Sequence, residues 1–213
     1  MNVLLLNGMK ATSQIWNRME SRLVQWNVEY REYPHSVTES ASNVAAITAG
    51  IYPTLERRAY DVLIGHSMGG LVALELAAFY PVNVRKVILV ESFLKPSTPF
   101  YQNLMTPLHM EQYGEEVLQM IRDEAPYYLP TLADSLQNQF DYTHLLKSLE
   151  SEVGAIYGDR GHRNHPCRID ALNLEPDVLQ RMNIVFVEDA CHMPMVENPD
   201  GLMDELVEMI RSL

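Results

Sequence analysis

The chain has 213 residues, 47% of them hydrophobic and 21% charged, with 10 glycines and 12 prolines. This length and balance are typical of one compact domain with a sizeable core, and they exclude a disordered, collagen-like or low-complexity protein. The 28 acidic and 16 basic residues give a formal charge of −12. Such a charge repels phosphate backbones and anionic lipids, so nucleic acid is not an expected partner.

The cysteines and the first residues of the chain indicate the cellular compartment in which the protein is expected. Cys167 and Cys191 are too few for a disulfide framework, and neither has the regular spacing of a zinc site. The run Met1–Gly8 lacks a basic region and holds only four apolar residues in a row, too few for a signal peptide or a membrane span. We therefore expect a cytoplasmic protein.

Short runs rich in Val, Ile and Leu alternate along the chain with longer stretches of helical period. This alternation predicts an α/β fold with a buried, mainly parallel sheet flanked by helices. The six predicted strands are Val3–Leu6, Val28–Tyr33, Asp61–Ile64, Val84–Val90, Val153–Tyr157 and Ile184–Val187.

Amphipathic helices are predicted to cover this sheet, because apolar residues recur at helical spacing between the strands. The first predicted helix carries Ile15, Met19, Leu23 and Trp26 on one face, and the last begins at Asn198-Pro199 and repeats Leu202, Leu206, Met209 and Leu213. Two further helices are predicted from Glu39 toward Leu55, where Pro53 bends or ends the helix, and from Met68 to Tyr80.

The stretch from Phe93 to Phe140 interrupts the alternation, since it mixes prolines and aromatic residues with short helical patterns. An insertion of this size between two strands usually packs over one face of the sheet as a lid or binding segment. We predict a single domain over residues 1–213, with a core of residues 1–92 and 141–213 and a lid insertion at about 93–140.

The most specific motif is Gly65-His66-Ser67-Met68-Gly69-Gly70, which stands between the apolar strand ending at Ile64 and a helical run. A sharp strand-to-helix turn of this kind strains the serine backbone, exposes its hydroxyl above the sheet and needs glycines on both sides. The motif predicts that Ser67 is a nucleophile.

A serine needs a base that removes its proton and an acid that orients the base. Of seven histidines, His192 lies in the loop between the last predicted strand and the final helix. In a parallel sheet this loop opens on the same edge as Ser67, so His192 is the predicted base.

These motifs together resemble those of the α/β-hydrolase superfamily over essentially the whole chain. The elbow at Ser67 matches the superfamily's Gly-His-Ser-Met-Gly-Gly form, and Cys191-His192-Met193-Pro194 resembles its Gly-His-x-Pro loop with Cys191 in place of glycine. The resemblance implies an α/β-hydrolase fold with a sheet trimmed to about six strands, or one whose edge a partner chain covers.

An oxyanion hole is implied by a weaker match. Leu6-Asn7-Gly8-Met9 resembles the superfamily's oxyanion loop, with Asn7 where histidine is common. By this resemblance the backbone N–H groups of Met9 and Met68 would bind the oxyanion of the tetrahedral intermediate. Backbone donors tolerate a change of side chain, so Asn7 is compatible with this role.

The acid is left open between two carboxylates. The segment Gly158–Pro166 resembles the superfamily's acid loop, but Gly161 stands where its aspartate normally lies. Asp159, the only carboxylate in that loop, is the preferred candidate. Glu91, at the end of the fourth predicted strand, is the alternative, because some members, including a group of haloalkane dehalogenases, keep their acid there.

The resemblance implies a serine hydrolase that cleaves a carboxylic ester or thioester through an acyl-enzyme and needs no cofactor. His162 and His165 near Cys167 have irregular spacing and no nearby carboxylate, so no metal is expected. A lyase or a C–C bond hydrolase on the same fold is the alternative, as is a homologue that binds a ligand without turnover. The expected partner is a small acyl substrate; the oligomeric state stays open, and a dimer is compatible.

Overall fold

The computed structural model describes residues 1–57, 59–137 and 140–211. Its centre is a six-stranded sheet in the order β2-β1-β3-β4-β5-β6, and all five pairings are parallel. The strands are β1 (Asn2–Leu6), β2 (Asn27–Arg31), β3 (Ala59–His66), β4 (Asn83–Val90), β5 (Glu152–Gly158) and β6 (Met182–Val187). The predicted parallel α/β sheet is confirmed, and each predicted strand has its counterpart.

Both faces of the sheet are buried, which explains the continuous apolar runs of its strands. Successive side chains of a strand point to opposite faces. In β1, Leu4 and Leu6 accordingly belong to one buried cluster, whereas Val3 and Leu5 belong to the other. Since all strands are parallel, their carboxyl ends share one edge, and the loops that follow them meet there.

Helices flank the sheet on both sides. In the described residues the α-helices are α1 (Glu20–Leu23), α2 (His35–Thr38), α3 (Val44–Ile51), α4 (Met68–Phe79), α5 (Pro107–Glu124), α6 (Pro130–Ser135), α7 (Pro176–Leu179), α8 (Pro194–Glu197) and α9 (Pro199–Arg211). None of these helices combines the length and the apolarity that crossing a membrane requires.

Two predicted helices differ from the observed ones. The first is a 3₁₀ helix over Ser13–Met19 that continues into α1. The helix predicted from Glu39 begins only at Val44, because the side chain of Asn43 accepts a hydrogen bond from the backbone N–H of Ala46 at 2.9 Å and caps α3 there.

The final helix agrees with its prediction over the residues described. It begins at Pro199, and Leu202, Leu206 and Met209 are buried against the sheet. Leu213, the last member of the predicted apolar stripe, lies outside the described residues.

Between β4 and β5 the chain forms α5 and α6 and places several aromatic side chains against the sheet's carboxyl edge. Tyr101 is buried, and Phe93 packs 5.3 Å from Tyr157 of β5 between ring centroids. That residues 93–140 act as a lid stays a prediction.

Candidate active site

Ser67 occupies the sharp turn between β3 and α4. Its backbone has φ 52° and ψ −121°, a conformation that L-residues rarely adopt. A Cβ at Gly65 would overlap the backbone of Gly69, and a Cβ at Gly69 would lie 2.5 Å from the carbonyl oxygen of Asn7. The two glycines therefore allow α4 to approach β3 and β1 closely enough to form the elbow.

Strained backbone recurs along this edge of the sheet. A non-glycine residue with positive φ follows each of the last four strands within two positions. These residues are Ser67 after β3 (φ 52°), Glu91 after β4 (φ 50°), Arg160 after β5 (φ 59°) and Asp189 after β6 (φ 52°). Because such conformations persist only where the surrounding structure fixes them, and they concentrate at functional sites, the four turns mark this edge as a candidate site.

The structure brings three of the predicted residues into a chain of contacts. His192 Nε2 lies 3.2 Å from Ser67 Oγ, and His192 Nδ1 lies 3.4 Å from Glu91 Oε2. The Glu91 side chain is fully buried, whereas the His192 side chain is 26% exposed. Solvent can therefore reach the histidine but not the acid.

Asp159, the preferred acid of the sequence analysis, does not contact His192. Its Oδ1 accepts hydrogen bonds from the backbone N–H groups of Gly161 at 2.8 Å and Asp189 at 2.7 Å. These bonds join the loop after β5 to the loop after β6. At position 161, where the superfamily's aspartate normally lies, a Cβ would have Asp189 Oδ1 as its nearest neighbour, at 3.6 Å.

The carboxylate of Glu91 is held from a second side by Arg160. Its Oε1 lies 2.5 Å from Arg160 Nη1, its Oε2 lies 2.6 Å from Nη2, and Oε1 also accepts from the backbone N–H of Gly158 at 2.6 Å. Burial alone raises the pKa of Glu91, but Arg160, with a smaller contribution from His192, outweighs it and holds that pKa below the ordinary value. Glu91 is therefore ionised at neutral pH.

His66 precedes the serine and supports the histidine loop. Its Nε2–H donates to the backbone oxygen of His192 at 2.8 Å. Burial, with the neighbouring His192 ring 4.9 Å away, lowers the pKa of His66 to about 3. His66 is thus a neutral ring that fixes the main chain at His192.

Glu197 holds the same loop from the other side. Its Oε2 accepts from the backbone N–H groups of Cys191 at 2.7 Å and Met193 at 3.2 Å, and its Oε1 accepts from that of Thr106 at 2.8 Å. Burial raises the pKa of the Cys191 thiol to about 12, so this cysteine is not a thiolate nucleophile near neutral pH.

The predicted oxyanion loop lies against the elbow. A Cβ at Gly8 would be 3.2 Å from the Cβ of Ser67. The Asn7 side chain accepts from Trp16 Nε1 at 2.9 Å and donates to Glu32 at 3.1 Å, which fixes the loop. Within the described residues, no protein acceptor takes a hydrogen bond from the backbone N–H of Met9 or Met68.

A cavity of about 90 Å³ opens beside Ser67. Apart from Ser67 and Glu91, its walls are largely apolar and aromatic, and the lining residues described include no lysine or arginine. The remaining lining residues are Met68, Leu71, Phe93, Ser97, Leu136 and Phe140. A pocket of this size and polarity suits a small, uncharged group.

Comparison with known families identifies the family to which the chain belongs. A family model of the alpha/beta hydrolase fold matches residues 58–176, more than half of the chain. The chain belongs to the α/β-hydrolase family. The match spans the elbow, Glu91 and the loop after β5.

Solved structures resemble this α/β hydrolase over nearly all of their length. A thermophilic esterase from Thermogutta terrifontis is 21% identical, with a TM-score of 0.76 over 100% of this chain and 90% of that one. MenH from S. aureus is 14% identical, with a TM-score of 0.77 over 100% and 94%. The enol-lactonase from Burkholderia xenovorans LB400 is 16% identical, with a TM-score of 0.71 over 99% and 91%. At these identities the likeness shows the fold alone, and no curated protein matches in sequence.

The sequence analysis of this hydrolase missed several supporting residues. Arg160 and His66 each lie inside a recognised motif, and Glu197 ends the short helix α8 that follows the His192 loop, yet no role was given to them. A buried arginine beside a carboxylate leaves no periodic signal, because its partner stands 69 residues away. Within residues 1–57, 59–137 and 140–211, no group of three or more His, Cys, Asp or Glu side chains could hold a metal.

Proposed function

We propose that this α/β hydrolase cleaves a carboxylic ester or thioester with Ser67 as nucleophile, His192 as base and Glu91 as the orienting acid. The observation that carries the proposal is the continuous path from Ser67 Oγ through both ring nitrogens of His192 to the buried Glu91 carboxylate. The geometry favours Glu91, which contacts His192, over Asp159, which does not and whose Oδ1 accepts from two backbone donors.

The tautomer of His192 follows from its neighbours. The ionised Glu91 can only accept, so the Nδ1–H of His192 donates to it and the lone pair of Nε2 faces Ser67. Ser67 Oγ attacks the substrate carbonyl carbon while its proton passes to Nε2. The carbonyl π electrons move to oxygen, and the N–H groups of Met9 and Met68 stabilise the resulting oxyanion.

Collapse of the tetrahedral intermediate breaks the C–O or C–S bond. The imidazolium of His192 gives its proton to the departing alcohol or thiol, and the acyl group stays on Ser67. A water molecule then attacks the acyl carbon while His192 takes one of its protons. The second collapse returns that proton to Ser67 Oγ and releases the carboxylic acid.

The cavity next to Ser67 supports a neutral, apolar acyl group of modest size. Phe93, Leu136 and Phe140 supply apolar surface, and no cation among the described lining residues would balance a substrate carboxylate. We therefore expect short linear esters, short thioesters and small lactones to be cleaved faster than a succinyl ester of the same alcohol. The enol-lactonase with this fold makes lactones a useful member of the panel.

Labelling with a fluorophosphonate probe tests the nucleophile itself, because the probe reacts with an activated serine whatever the natural substrate is. We expect intact-mass analysis to show one adduct on the wild type and none on Ser67→Ala. Cys191→Ala is the matched control, since it removes the nearby thiol, and it should keep the adduct. A folded wild type that stays unlabelled, or an adduct that persists in Ser67→Ala, would contradict the proposal.

A further inference from the structure

The loop after β5, which resembles an acid loop, places the side chain of an arginine next to Glu91. Arg160, one residue after Asp159, turns its guanidinium into the protein, where the Arg160 side chain is 2% exposed and that of Glu91 is fully buried. Its backbone has a positive φ of 59°. The residues that meet at the site are thus an acid from β4 and a base from the β6 loop, with an arginine from the β5 loop behind the acid.

Arg160 and His192 contact the same oxygen of Glu91. Oε2 lies 2.6 Å from Arg160 Nη2 but 3.4 Å from His192 Nδ1. The guanidinium also binds Oε1 at 2.5 Å, so it holds the carboxylate at two points, whereas the histidine contacts it at one. The position of the acid is therefore set mainly by the arginine.

The guanidinium is itself fixed by main-chain groups. Its Nη1 donates to the carbonyl oxygen of Gly158 at 2.8 Å, and its Nη2 donates to that of Tyr101 at 3.2 Å. Its Cζ lies 4.4 Å from the centroid of the Tyr101 ring. These contacts orient the cation toward Glu91 in a space that solvent does not reach.

We infer that Arg160 is a positioning residue of the proposed triad, which fixes the Glu91 carboxylate and sets the pH below which His192 no longer acts as a base. The inference rests on the proposed function and extends it to Arg160, which is not among the residues that line the cavity and acts only through Glu91. By this inference, the loop after β5 contributes the cation Arg160 to the triad, where the sequence analysis expected it to contribute the carboxylate Asp159.

The charge balance gives the direction of the effect. With Arg160 present, the ionised Glu91 and the neutral His192 belong to a group of zero net charge. Without it, Glu91 and His192 carry a net negative charge in a buried place, and they take up a proton at higher pH. Whichever of the two residues receives that proton, the pair that activates Ser67 is lost.

The other titratable groups around Glu91 and His192 are present in both the wild type and the Arg160 variants. The titratable side chains that face Glu91, Arg160 or His192 are His66, Tyr101, Tyr157 and Cys191. Asp159 and Glu197 lie one step further away, since they face Cys191. A shift between wild type and an Arg160 variant therefore reports the removal of the guanidinium charge.

The test is the pH dependence of the rate at which the fluorophosphonate probe labels Ser67. We expect Arg160→Gln to move the acid limb of this profile upward by about 1 to 3 pH units. Arg160→Lys keeps the charge but loses the two-point contact, so we expect its limb to stay near that of the wild type while the rate falls. A limb in Arg160→Gln that coincides with the wild type overturns the inference.

Lys86→Gln is the matched control for the loss of a buried cation. Lys86 lies on β4, its side chain is 6% exposed, and it pairs with Glu152 at 2.9 Å. This variant should lose stability and keep the wild-type limb. If its limb moves as far as that of Arg160→Gln, the shift comes from weakened structure, and the inference fails.

A second measurement tests the inference in case Arg160→Gln does not fold. NMR titration of the His192 ring compares Glu91→Gln with the double variant Glu91→Gln/Arg160→Gln, in which no buried charge is left without a partner. The titration midpoint should rise when the arginine is removed from the Glu91→Gln background, and an unchanged midpoint contradicts the inference. A wild type that no probe labels at any pH refutes the proposed function and this inference with it, whereas a labelled wild type with an unmoved limb refutes this inference alone.

Discussion

The end of β4 and the loop after β5 each offer a carboxylate at the edge of the sheet where Ser67 and His192 meet. Glu91, at the end of β4, reaches His192 at 3.4 Å, is fully buried and is paired with Arg160. Asp159, in the loop after β5, accepts two backbone N–H groups and holds the turn together. Two carboxylates that look alike in sequence thus differ in what occupies their oxygens.

This difference shows that a strand end is not sufficient to make a carboxylate the acid of a triad. The acid needs an oxygen in contact with the histidine and a reason to stay ionised when buried. Glu91 has both, because Arg160 binds it from behind and leaves Oε2 shared with His192. Asp159 lacks the first, since it makes no contact with His192 and its Oδ1 accepts from the backbone N–H groups of Gly161 and Asp189.

The largest expected contrast is in nucleophile activation. Glu91→Gln should lower the second-order rate constant of fluorophosphonate labelling by about 10³- to 10⁴-fold, because the base loses its orienting and stabilising anion. Asp159→Asn should lower it less than about tenfold, since the amide oxygen can still accept both backbone donors. Labelling time courses on the two purified variants measure both constants. Equal losses, or a larger loss in Asp159→Asn, would return the role of acid to Asp159.

The next prediction compares the buried His66 with an exposed histidine of the loop after β5, by the way the free energy of unfolding changes with pH. The pKa of His66 is about 3 in the folded protein, against a reference value of 6.5. The unfolded chain therefore binds a proton between these values that the folded protein does not, so His66 stabilises the fold fully above pH 6.5 and progressively less as the pH falls toward 3.

Denaturant unfolding between pH 7 and pH 4.5 measures this effect, which has a slope of up to about 1.4 kcal/mol per pH unit. In His66→Gln that contribution should disappear, so the curves of variant and wild type should converge as the pH falls. His162→Gln, which changes an exposed histidine in the loop after β5, should run parallel to the wild type. A wild type and a His66→Gln variant with parallel curves would contradict the depressed pKa.

The smallest expected effect concerns the structural role of Asp159. Asp159→Ala should lower the free energy of unfolding by about 1 to 2 kcal/mol, because the backbone N–H groups of Gly161 and Asp189 lose their acceptor. Asp159→Asn should stay within about 0.5 kcal/mol of the wild type, since both donors go to one oxygen that asparagine retains. Thermal or urea unfolding distinguishes the two. An alanine variant as stable as the asparagine variant would show that the turn does not need this acceptor.

Much of the fold followed from local patterns. Apolar runs as short as those of β1 and β3, separated by helical stretches, are sufficient for a parallel sheet, because both of its faces are buried and its strands need no alternation. The positions at which helices begin were harder to predict from the sequence. Asn43 caps α3 with its own side chain, and this capping competes with any helix that the pattern alone would start at Glu39.

The sequence by itself determined Ser67 and His192 as candidates, because each depends on chemistry within a few neighbouring residues: glycines around a tight turn, and a loop between a strand and a helix. The choice of acid and the role of Arg160 were decided by tertiary structure. Glu91, Arg160 and His192 come from three different strand ends, and backbone turns with positive φ set which side chains meet. A distance of a few ångströms between buried charges decides which carboxylate serves the histidine, and no spacing along the chain encodes it.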